Sequence, residues 1–342
     1  MTSRERVLNS IRFKSVDYIP VNAKKEAMAP SVVGRKLNRD YFLDGPGAAE
    51  AEIALMEIVD DDFCVTTSSV SVALGTDVEW PENDYPQRKA GVIKTMEDVE
   101  AMGEFDPWKN EFTAASLETA RILKQKLGDE KVIETVVSGV FNTASGLAGI
   151  EHFMQSLITD KPFVKALCDK VVDGMIAYAK AFKEVGGDIF FSPDASSSPS
   201  CISPKVYAEQ ALPHHIRWAR EVKKLGLLSC YHPCGGEYPI IDMMKDIDTD
   251  ILWFSDMVDL SVAQQIFYRR KAVAGDVSGP DVLFLGNPSS IDGYIKNKCA
   301  SLKHKSGAMI HPGCGLSPNI PIENLKAMVD ATRKYSELAG AE

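Results

Sequence analysis

The chain has 342 residues, of which 45% are hydrophobic and 25% charged, the proportions of an average soluble globular protein. Its 38 basic and 48 acidic side chains give a formal net charge of −10. An acidic surface repels phosphate backbones and anionic lipids, which argues against nucleic-acid and membrane-surface partners. No apolar run approaches the roughly 20 residues of a membrane span, and no signal-peptide core is recognisable. We therefore expect a cytoplasmic protein.

Hydrophobic periodicity predicts helices and buried strands that alternate along most of the chain. An amphipathic helix at 3–13 and a short extended segment at 17–21 come first. A helix near 46–59 leads into a strand at 62–65, and residues 75–110, rich in proline, glycine and acids, predict a long loop excursion. Further strands are predicted at 131–137, 188–191, 227–230, 251–254, 272–274 and 308–310, with helices near 113–127, 162–185, 203–224, 236–246 and 322–339.

This alternation is typical of a parallel sheet covered by helices. The composition does not change between the strands, which favours a single (β/α)8 TIM barrel spanning residues 1–342, with an N-terminal helical extension and the excursion near 75–110. A doubly wound open sheet is the alternative. Neither Gly-x-Gly-x-x-Gly nor Gly-x-x-x-x-Gly-Lys-Ser/Thr stands at a strand-to-helix junction, so the dinucleotide and P-loop classes are not indicated.

Seven cysteines, an odd number scattered over the chain, argue against a disulfide framework. His232 and Cys234 stand two residues apart at a predicted strand end, where alternate side chains point the same way. Cys314 follows another strand, and the ends of barrel strands meet at one mouth. One histidine and two cysteines suit Zn²⁺, with a fourth position left for an acid, water or substrate. The alternative is two buried thiols and a histidine satisfied by backbone groups.

Two thiolates make zinc a weak Lewis acid that is suited to holding a substrate thiol as a thiolate, which points to alkyl transfer to sulfur. Asp194 follows a strand and Glu209 lies in a predicted helix, and both are candidates for a hard oxygen ligand or a proton acceptor. For Glu209 the alternative is a solvated helix face. His311 precedes Cys314 by three residues and is a candidate for the mouth, with plain packing as the alternative.

The two ends of the chain carry family motifs. Residues 4–13, followed by 17–21, and residues 312–325 resemble the opening and the close of the uroporphyrinogen decarboxylase superfamily, a single (β/α)8 barrel with its site at the C-terminal face. Decarboxylases of this superfamily carry Arg-Gln-Ala-Gly-Arg after the opening Pro-Val, but residues 20–27 here read Pro-Val-Asn-Ala-Lys-Lys-Glu-Ala. Their closing Gly-His-Gly is Gly-Cys-Gly at 313–315, so porphyrinogen decarboxylation is not expected.

The His-x-Cys and Gly-Cys-Gly motifs are instead similar to those of the zinc-dependent corrinoid methyltransferase branch. The resemblance implies zinc on His232, Cys234 and Cys314, and methyl transfer to or from the cobalt of a partner corrinoid protein that docks over the barrel mouth. It also implies a role in methanogenesis or another one-carbon metabolism. Asp276 follows a strand and is a candidate contact to the substrate or the corrinoid. A homodimer is compatible with this picture.

The spacing of the acidic residues bears on the direction in which the methyl group is transferred. O-demethylases of this branch have two acids fourteen residues apart and then a histidine about twenty residues on. Fourteen residues separate Asp194 from Glu209 here, and twenty-two separate Glu209 from His232. The pattern slightly favours a methoxylated aromatic methyl donor, that is, O-demethylation. The alternatives are a methylcobamide:thiol (coenzyme M) methyltransferase, a decarboxylase-like lyase, and a non-catalytic protein with structural zinc.

Overall fold

A computed structural model describes residues 1–340, and in it seven strands form one parallel sheet. The strands are β1 (Phe63–Thr67), β2 (Val78–Glu79), β3 (Gln87–Arg88), β4 (Val132–Val136), β5 (Ile189–Pro193), β6 (Leu228–His232), β7 (Ile251–Trp253), β8 (Ala272–Val277) and β9 (Ala308–Pro312). The sheet runs in the order β1, β4, β5, β6, β7, β8, β9, and β2 pairs with β3 in a separate hairpin.

Helices cover the outside of this sheet. They are α1 (Ser3–Ile11), α2 (Ala29–Val32), α3 (Arg39–Phe42), α4 (Gly45–Val59), α5 (Val70–Ala73), α6 (Met96–Ala101), α7 (Glu111–Leu127), α8 (Val140–Ala148), α9 (Ile150–Thr159), α10 (Lys161–Glu184), α11 (Pro204–Val206), α12 (Leu212–Lys224), α13 (Leu260–Phe267), α14 (Pro288–Ser301) and α15 (Ile322–Tyr335). Within residues 1–340, none of these helices has the length and apolar composition needed to cross a membrane.

The extended segment at Val21 joins the two edges of the sheet. It forms a parallel bridge with Ile310 of β9, and the carbonyl of Val21 accepts a hydrogen bond from the backbone of Asp62, next to β1, at 3.0 Å. This short segment therefore takes the place of an eighth strand. The expected (β/α)8 barrel is confirmed.

Side chains that alternate along the strands fill the barrel interior. They are Phe63, Val65, Val132, Ile189, Phe191, Cys230, Ile251, Trp253, Ala272, Ala274 and Met309. Val7 and Ile11 of α1 pack against the same cluster, so the N-terminal helix covers one end of the barrel. By the same alternation, His232 and His311 also lie on the inward side, beyond Cys230 and Met309.

Two predicted helices differ from the structure. Residues 236–246 form two short 3-10 turns, Tyr238–Ile240 and Met243–Asp246. Gly235 and Gly236 hold positive φ angles, so a right-handed helix cannot begin before residue 237. The helix expected at 203–224 is interrupted by a π-helical turn at Tyr207–Ala211. The nitrogen of Pro213 cannot donate to the carbonyl four residues earlier, which accounts for the wider turn there.

The excursion near 75–110 also has more regular structure than a loop. It contains the β2–β3 hairpin and helix α6. The backbone of Ile93 donates to the carbonyl of Leu147 at the end of α8, and Lys94 donates to the neighbouring carbonyl of Ala148 at 2.5 Å. These bonds fix the excursion against the segment that follows β4, on the C-terminal side of the barrel.

Candidate metal centre

Three side chains meet across the mouth of the barrel. His232 ends β6, Cys234 follows two residues later, and Cys314 lies two residues beyond β9. One nitrogen of His232 and the two sulfurs all lie within 4.8 Å of one another. Because β7 and β8 separate β6 from β9 in the sheet, only the curvature of the barrel brings these residues together.

The imidazole of His232 is oriented for a ligand. Its Nδ1 lies 2.9 Å from the carbonyl oxygen of Trp253, which can only accept, so Nδ1 carries the proton and Nε2 keeps its lone pair. The ring stacks on Trp253, with centroids 4.5 Å apart. Nε2 is buried and has no hydrogen-bond partner within residues 1–340. A histidine whose second nitrogen is anchored to a carbonyl is the usual arrangement of a metal ligand.

The two cysteine sulfurs lie 3.1 Å apart, well beyond the roughly 2.05 Å of a disulfide bond, and both are free thiols in the described chain. The hydrogen bond from Cys234 lowers the pKa of Cys314, although burial opposes the shift. The same hydrogen bond and burial raise the pKa of Cys234. One sulfur is therefore already biased toward the thiolate that a soft metal requires.

A buried carboxylate supports this cluster. Glu237 is fully buried and accepts from the backbone nitrogen and the hydroxyl of Ser255, at 2.9 and 2.7 Å. It also accepts from Gly235 at 3.4 Å, so it ties the segment carrying Cys234 to the segment after β7. The sequence interpretation missed Glu237 because it placed residues 236–246 in a regular helix between two strands.

Asp194 is next to the cluster but has other partners. It is fully buried, and its backbone nitrogen donates to the carbonyl of His232 at 2.8 Å. Its carboxylate accepts from the nitrogens of Phe141 and Asn142, in the first turn of α8, at 2.9 and 2.8 Å. It also accepts from Nε2 of His215 at 3.0 Å. Asp194 therefore stabilises the start of a helix and a buried histidine.

Glu209 lies in the outer helical layer and does not contact the cluster. It belongs to the π-helical turn, its side chain is 43% exposed, and it pairs with Lys161 of α10 at 3.1 Å and Lys205 at 4.0 Å. The expectation that Glu209 acts beside the metal was based on its spacing from Asp194, which resembles that of the two acids in O-demethylases. The structure instead gives the solvated helix face that was the alternative.

Asp276 is likewise not part of the cluster of three ligands. Its Oδ2 accepts from the backbone of Leu260 at 2.7 Å and from Lys298 of α14 at 2.8 Å. Burial raises the pKa of this carboxyl, although Lys298 opposes the shift. Its Oδ1 is buried without a hydrogen-bond partner in the part of the chain that the structure describes. Asp276 therefore belongs to the helical side of β8.

His311 points into the barrel below the cluster. Its ring packs edge-on against Phe63 and Trp253, with centroids 5.5 Å away in each case. Burial, with Lys24 contributing, lowers the pKa of this histidine well below its ordinary value, so the ring is neutral. Neither ring nitrogen has a partner among the described residues. His311 is thus a neutral polar group in the barrel interior.

An ion pair that the sequence interpretation did not identify lies in the same interior. Lys24 is buried and donates to Glu134 of β4 at 2.9 Å, and its ammonium lies 4.7 Å from the ring centroid of Phe191. The only sign of this ion pair in the sequence was Glu134, a charged residue inside the buried strand predicted at 131–137. The two residues place an ion pair among the apolar side chains of the barrel interior.

A cavity of about 160 Å³ opens at the mouth on the β1–β5 side. Thr67, Val136 and Pro193, the last residues of three strands, line it together with Ser138. Pro193 pairs in register with His232, so this opening is adjacent to the candidate metal ligands. A small substrate has space there.

Comparisons with known proteins agree with this architecture. The family model for uroporphyrinogen decarboxylase (URO-D) matches residues 2–335. A methylated-thiol–coenzyme M methyltransferase of Methanosarcina mazei is 25% identical, with 98% of this chain and 90% of the relative covered. The methylcobamide:CoM methyltransferase MtaA of Methanosarcina barkeri is 26% identical, with 98% of both chains covered. A solved methyltransferase structure from Methanosarcina mazei has a TM-score of 0.88 at 22% identity, over 98% of this chain and 99% of the other.

Proposed function

Because the chain belongs to the uroporphyrinogen decarboxylase family and joins one imidazole to two thiols at its barrel mouth, we propose that it is a zinc-dependent methyltransferase of a corrinoid system. It moves a methyl group between a small substrate and the cobalt of a partner corrinoid protein. The observation that carries the proposal is the buried Nε2 of His232, which has no partner among residues 1–340 and is grouped with the sulfurs of Cys234 and Cys314. Two relatives of similar length that are named for methyl transfer to coenzyme M support it.

The three donors fit zinc better than a hard cation, because two sulfurs and an imidazole are soft or borderline ligands. When bound, zinc lowers the pKa of a substrate thiol and keeps it nucleophilic at neutral pH. The protein's own contribution is orientation. The Trp253 carbonyl fixes the tautomer of His232, and Glu237 holds the segment that carries Cys234.

We place a thiol as the methyl acceptor. The expected preference for a methoxylated aromatic donor depended on Glu209, and that residue pairs with Lys161 on the outer surface. A zinc site with two thiolates is also poorly suited to polarising an ether oxygen. In the thiol reaction the substrate sulfur attacks the methyl carbon of methyl-Co(III), Co(I) leaves with the electron pair, and the thiol proton is released.

The lyase alternative receives little support from the N-terminal segment. Decarboxylases of the superfamily hold substrate carboxylates with free arginines in this region, whereas Lys25 here is buried between Asp61 at 2.8 Å and Glu52 at 3.1 Å. Lys24 is similarly paired with Glu134 at 2.9 Å. Cations neutralised in this way are poor partners for a polycarboxylate.

A two-directional assay tests the proposal. Zinc-loaded protein is given methylcobalamin with a panel of thiols, and separately a reduced corrinoid with a panel of methoxyarenes. We expect methylation of at least one thiol, and loss of that activity in Cys234→Ser but not in the matched exposed-cysteine variant Cys201→Ser. Turnover of methoxyarenes without any thiol methylation would reverse the direction, and inactivity in both assays would contradict methyl transfer with free corrinoids.

A further inference from the structure

A cluster of basic side chains lies at the end of the barrel opposite the metal centre. Three segments contribute to it, namely the turn after α1, the turn before β8 and the turn before β9. Their exposed basic residues, which form the basic patch, are Arg12, Lys14, Arg269, Arg270 and Lys303. Strands β8 and β9 begin at this face, whereas the metal ligands stand where strands end, so the two sites lie on opposite faces of the barrel.

Direct contacts join the three segments. The backbone nitrogen of Gly307 donates to the carbonyl of Ser10 at 3.0 Å, which connects the start of β9 to the end of α1. The ring of Tyr268 stacks on His304, with centroids 3.9 Å apart, and meets the ring of Phe13 edge-on at 5.6 Å. The three turns therefore form one continuous surface.

The five cations of the basic patch have no acidic partner in the part of the chain that the structure describes. Among residues 1–340, none of them has a carboxylate oxygen within 4.0 Å, although the chain has 48 acidic residues against 38 basic ones. Like charges placed together on a surface repel each other, and a bound anion relieves this repulsion. The patch is therefore a surface whose charge is not compensated within the described residues.

Hydrogen bonds hold the turns in place before any ligand binds. The backbone nitrogens of Arg270 and Lys271 both donate to the carbonyl of Phe267, at 2.8 and 3.0 Å. The backbone nitrogen of Lys14 donates to the carbonyl of Asn9 at 2.9 Å. A surface with a fixed backbone loses little conformational entropy when it binds a partner.

The borders of the basic patch limit the kind of anion that it fits. Glu337 is 76% exposed and pairs with Lys305 on one side, and Asp17, which pairs with Arg6, follows Lys14 by three residues. Nucleic acid or an anionic membrane would extend beyond the patch and face these acids, and it would be repelled by the net charge of −10. A short anionic segment can lie within the patch.

The chemistry of the patch suits carboxylates that accompany an apolar side chain. Arginine guanidinium groups bind carboxylates through two parallel hydrogen bonds. The rings of Phe13 and Tyr268 are partly exposed, adjoin the basic residues in sequence and offer an apolar contact. We propose that the basic patch binds a short acidic segment of another protein, in which carboxylates flank an aromatic residue. Such a partner leaves the barrel mouth open, so its binding does not depend on the proposed methyl transfer.

Fluorescence anisotropy with the full-length, zinc-loaded protein tests the proposal. The labelled probe is the peptide EEDFEDEE, and the matched uncharged peptide is QQNFQNQQ. We expect saturable binding of the acidic peptide alone, which weakens as salt is added. The double variant Arg269→Gln, Arg270→Gln should weaken binding at least tenfold. The control Lys126→Gln, Lys180→Gln removes two exposed cations of α7 and α10 outside the patch and should change binding less than twofold.

Equal binding of the uncharged peptide, or equal losses in the two double variants, would overturn the proposal. Tighter binding of a single-stranded DNA oligonucleotide, of phosphatidylserine vesicles or of inorganic pyrophosphate would also overturn it, because each assigns the patch to a different ligand. Self-association that Arg269→Gln, Arg270→Gln abolishes would assign the patch to a second copy of the chain, with the same consequence. If that variant does not fold, as judged by circular dichroism, Arg12→Gln, Lys303→Gln replaces it with the same expected tenfold loss.

Discussion

Asp194 and His232 stand at the ends of neighbouring strands and are joined by a backbone hydrogen bond of 2.8 Å, yet their side chains are in opposite situations. Each is almost completely buried. The carboxylate of Asp194 accepts from two helix nitrogens and from His215. In His232 one nitrogen is anchored to Trp253 and the other has no partner within residues 1–340.

This difference separates structural from functional polar groups at the barrel mouth. A buried polar group with all its bonds made stabilises the fold and has no capacity left for a ligand. A buried group that is rigidly oriented but unpaired is unfavourable until a ligand binds, and it lies beside two sulfurs at this site. Burial and position on a strand end are the same for both, so only the hydrogen-bond partners distinguish them.

The largest expected effect is the loss of zinc from the cluster that contains His232. Wild-type protein should hold close to one zinc per chain, and Cys314→Ser should lose most of it, because serine replaces a thiolate with a weak, neutral ligand. Affinity should fall by more than the roughly 10–100-fold typical of a lost supporting residue. Metal analysis after dialysis against a chelator measures this.

Cys201→Ser is the matched control, because Cys201 is an exposed free thiol outside the cluster. Far-ultraviolet circular dichroism should be unchanged in both variants, since a barrel of this size has a large core that does not depend on metal. Full zinc retention in Cys314→Ser would show that the three side chains do not form the site.

For Asp194, whose carboxylate already has its hydrogen-bond partners, the expected effect of substitution is on stability. Asp194→Ala leaves two nitrogens at the start of α8 and the ring of His215 without their acceptor, so the free energy of unfolding should fall by about 3 kcal/mol. Asp194→Asn should be milder because one oxygen remains. Urea denaturation measures both variants.

Measuring the zinc content of the Asp194 variants shows whether Asp194 has a structural role or acts at the metal site. We expect Asp194→Asn to bind zinc as tightly as the wild type, in contrast to Cys314→Ser. A variant of normal stability that no longer binds zinc would move Asp194 from the structural to the functional group.

The histidine before His215 gives a pH test of the same region. Burial lowers the pKa of His214 to about 4, although Asp169 opposes the shift. Between pH 6.5 and 4 the unfolded chain therefore binds more protons at this residue than the folded chain does, and stability falls as the pH falls through that window. The loss is complete below about pH 4 and absent above about pH 6.5.

His214→Gln should remove this contribution, which is at most about 1.4 kcal/mol per pH unit. Urea denaturation at several pH values from 4.5 to 7 compares the variant with the wild type. A slope that is unchanged by the substitution would mean that the pKa of His214 is the same in the folded and the unfolded protein.

The comparison also shows what the sequence could predict. Strand and helix alternation predicted the barrel, because buried parallel strands and amphipathic helices have distinct periods. The strand-end positions of His232, Cys234 and Cys314 predicted their convergence, since the C-terminal ends of barrel strands share one mouth. The position of a residue at a strand end does not predict which way its side chain points. Asp276, for example, bonds to Lys298 of α14 and is not part of the ligand cluster.

The roles of Glu237 and Lys24 could not be predicted from the sequence for a different reason. Their roles depend on partners far along the chain or in an unexpected turn: Lys24 pairs with Glu134, 110 residues away, and Glu237 with Ser255. Local patterns do not report such pairs, and a charged residue in an apolar strand was the only available sign.

The smallest expected effect concerns Glu209, where spacing was the sole argument for a function. Its side chain is 43% exposed and pairs with Lys161 at the surface, and exposed ion pairs of this kind contribute about 0–1 kcal/mol. Glu209→Gln should therefore change the free energy of unfolding by less than about 0.5 kcal/mol and thiol methylation by less than about twofold. The assay with methylcobalamin and a thiol, run beside urea denaturation, measures both. A hundredfold loss of thiol methylation with zinc still bound would show that Glu209 reaches the reacting groups in a conformation other than this one.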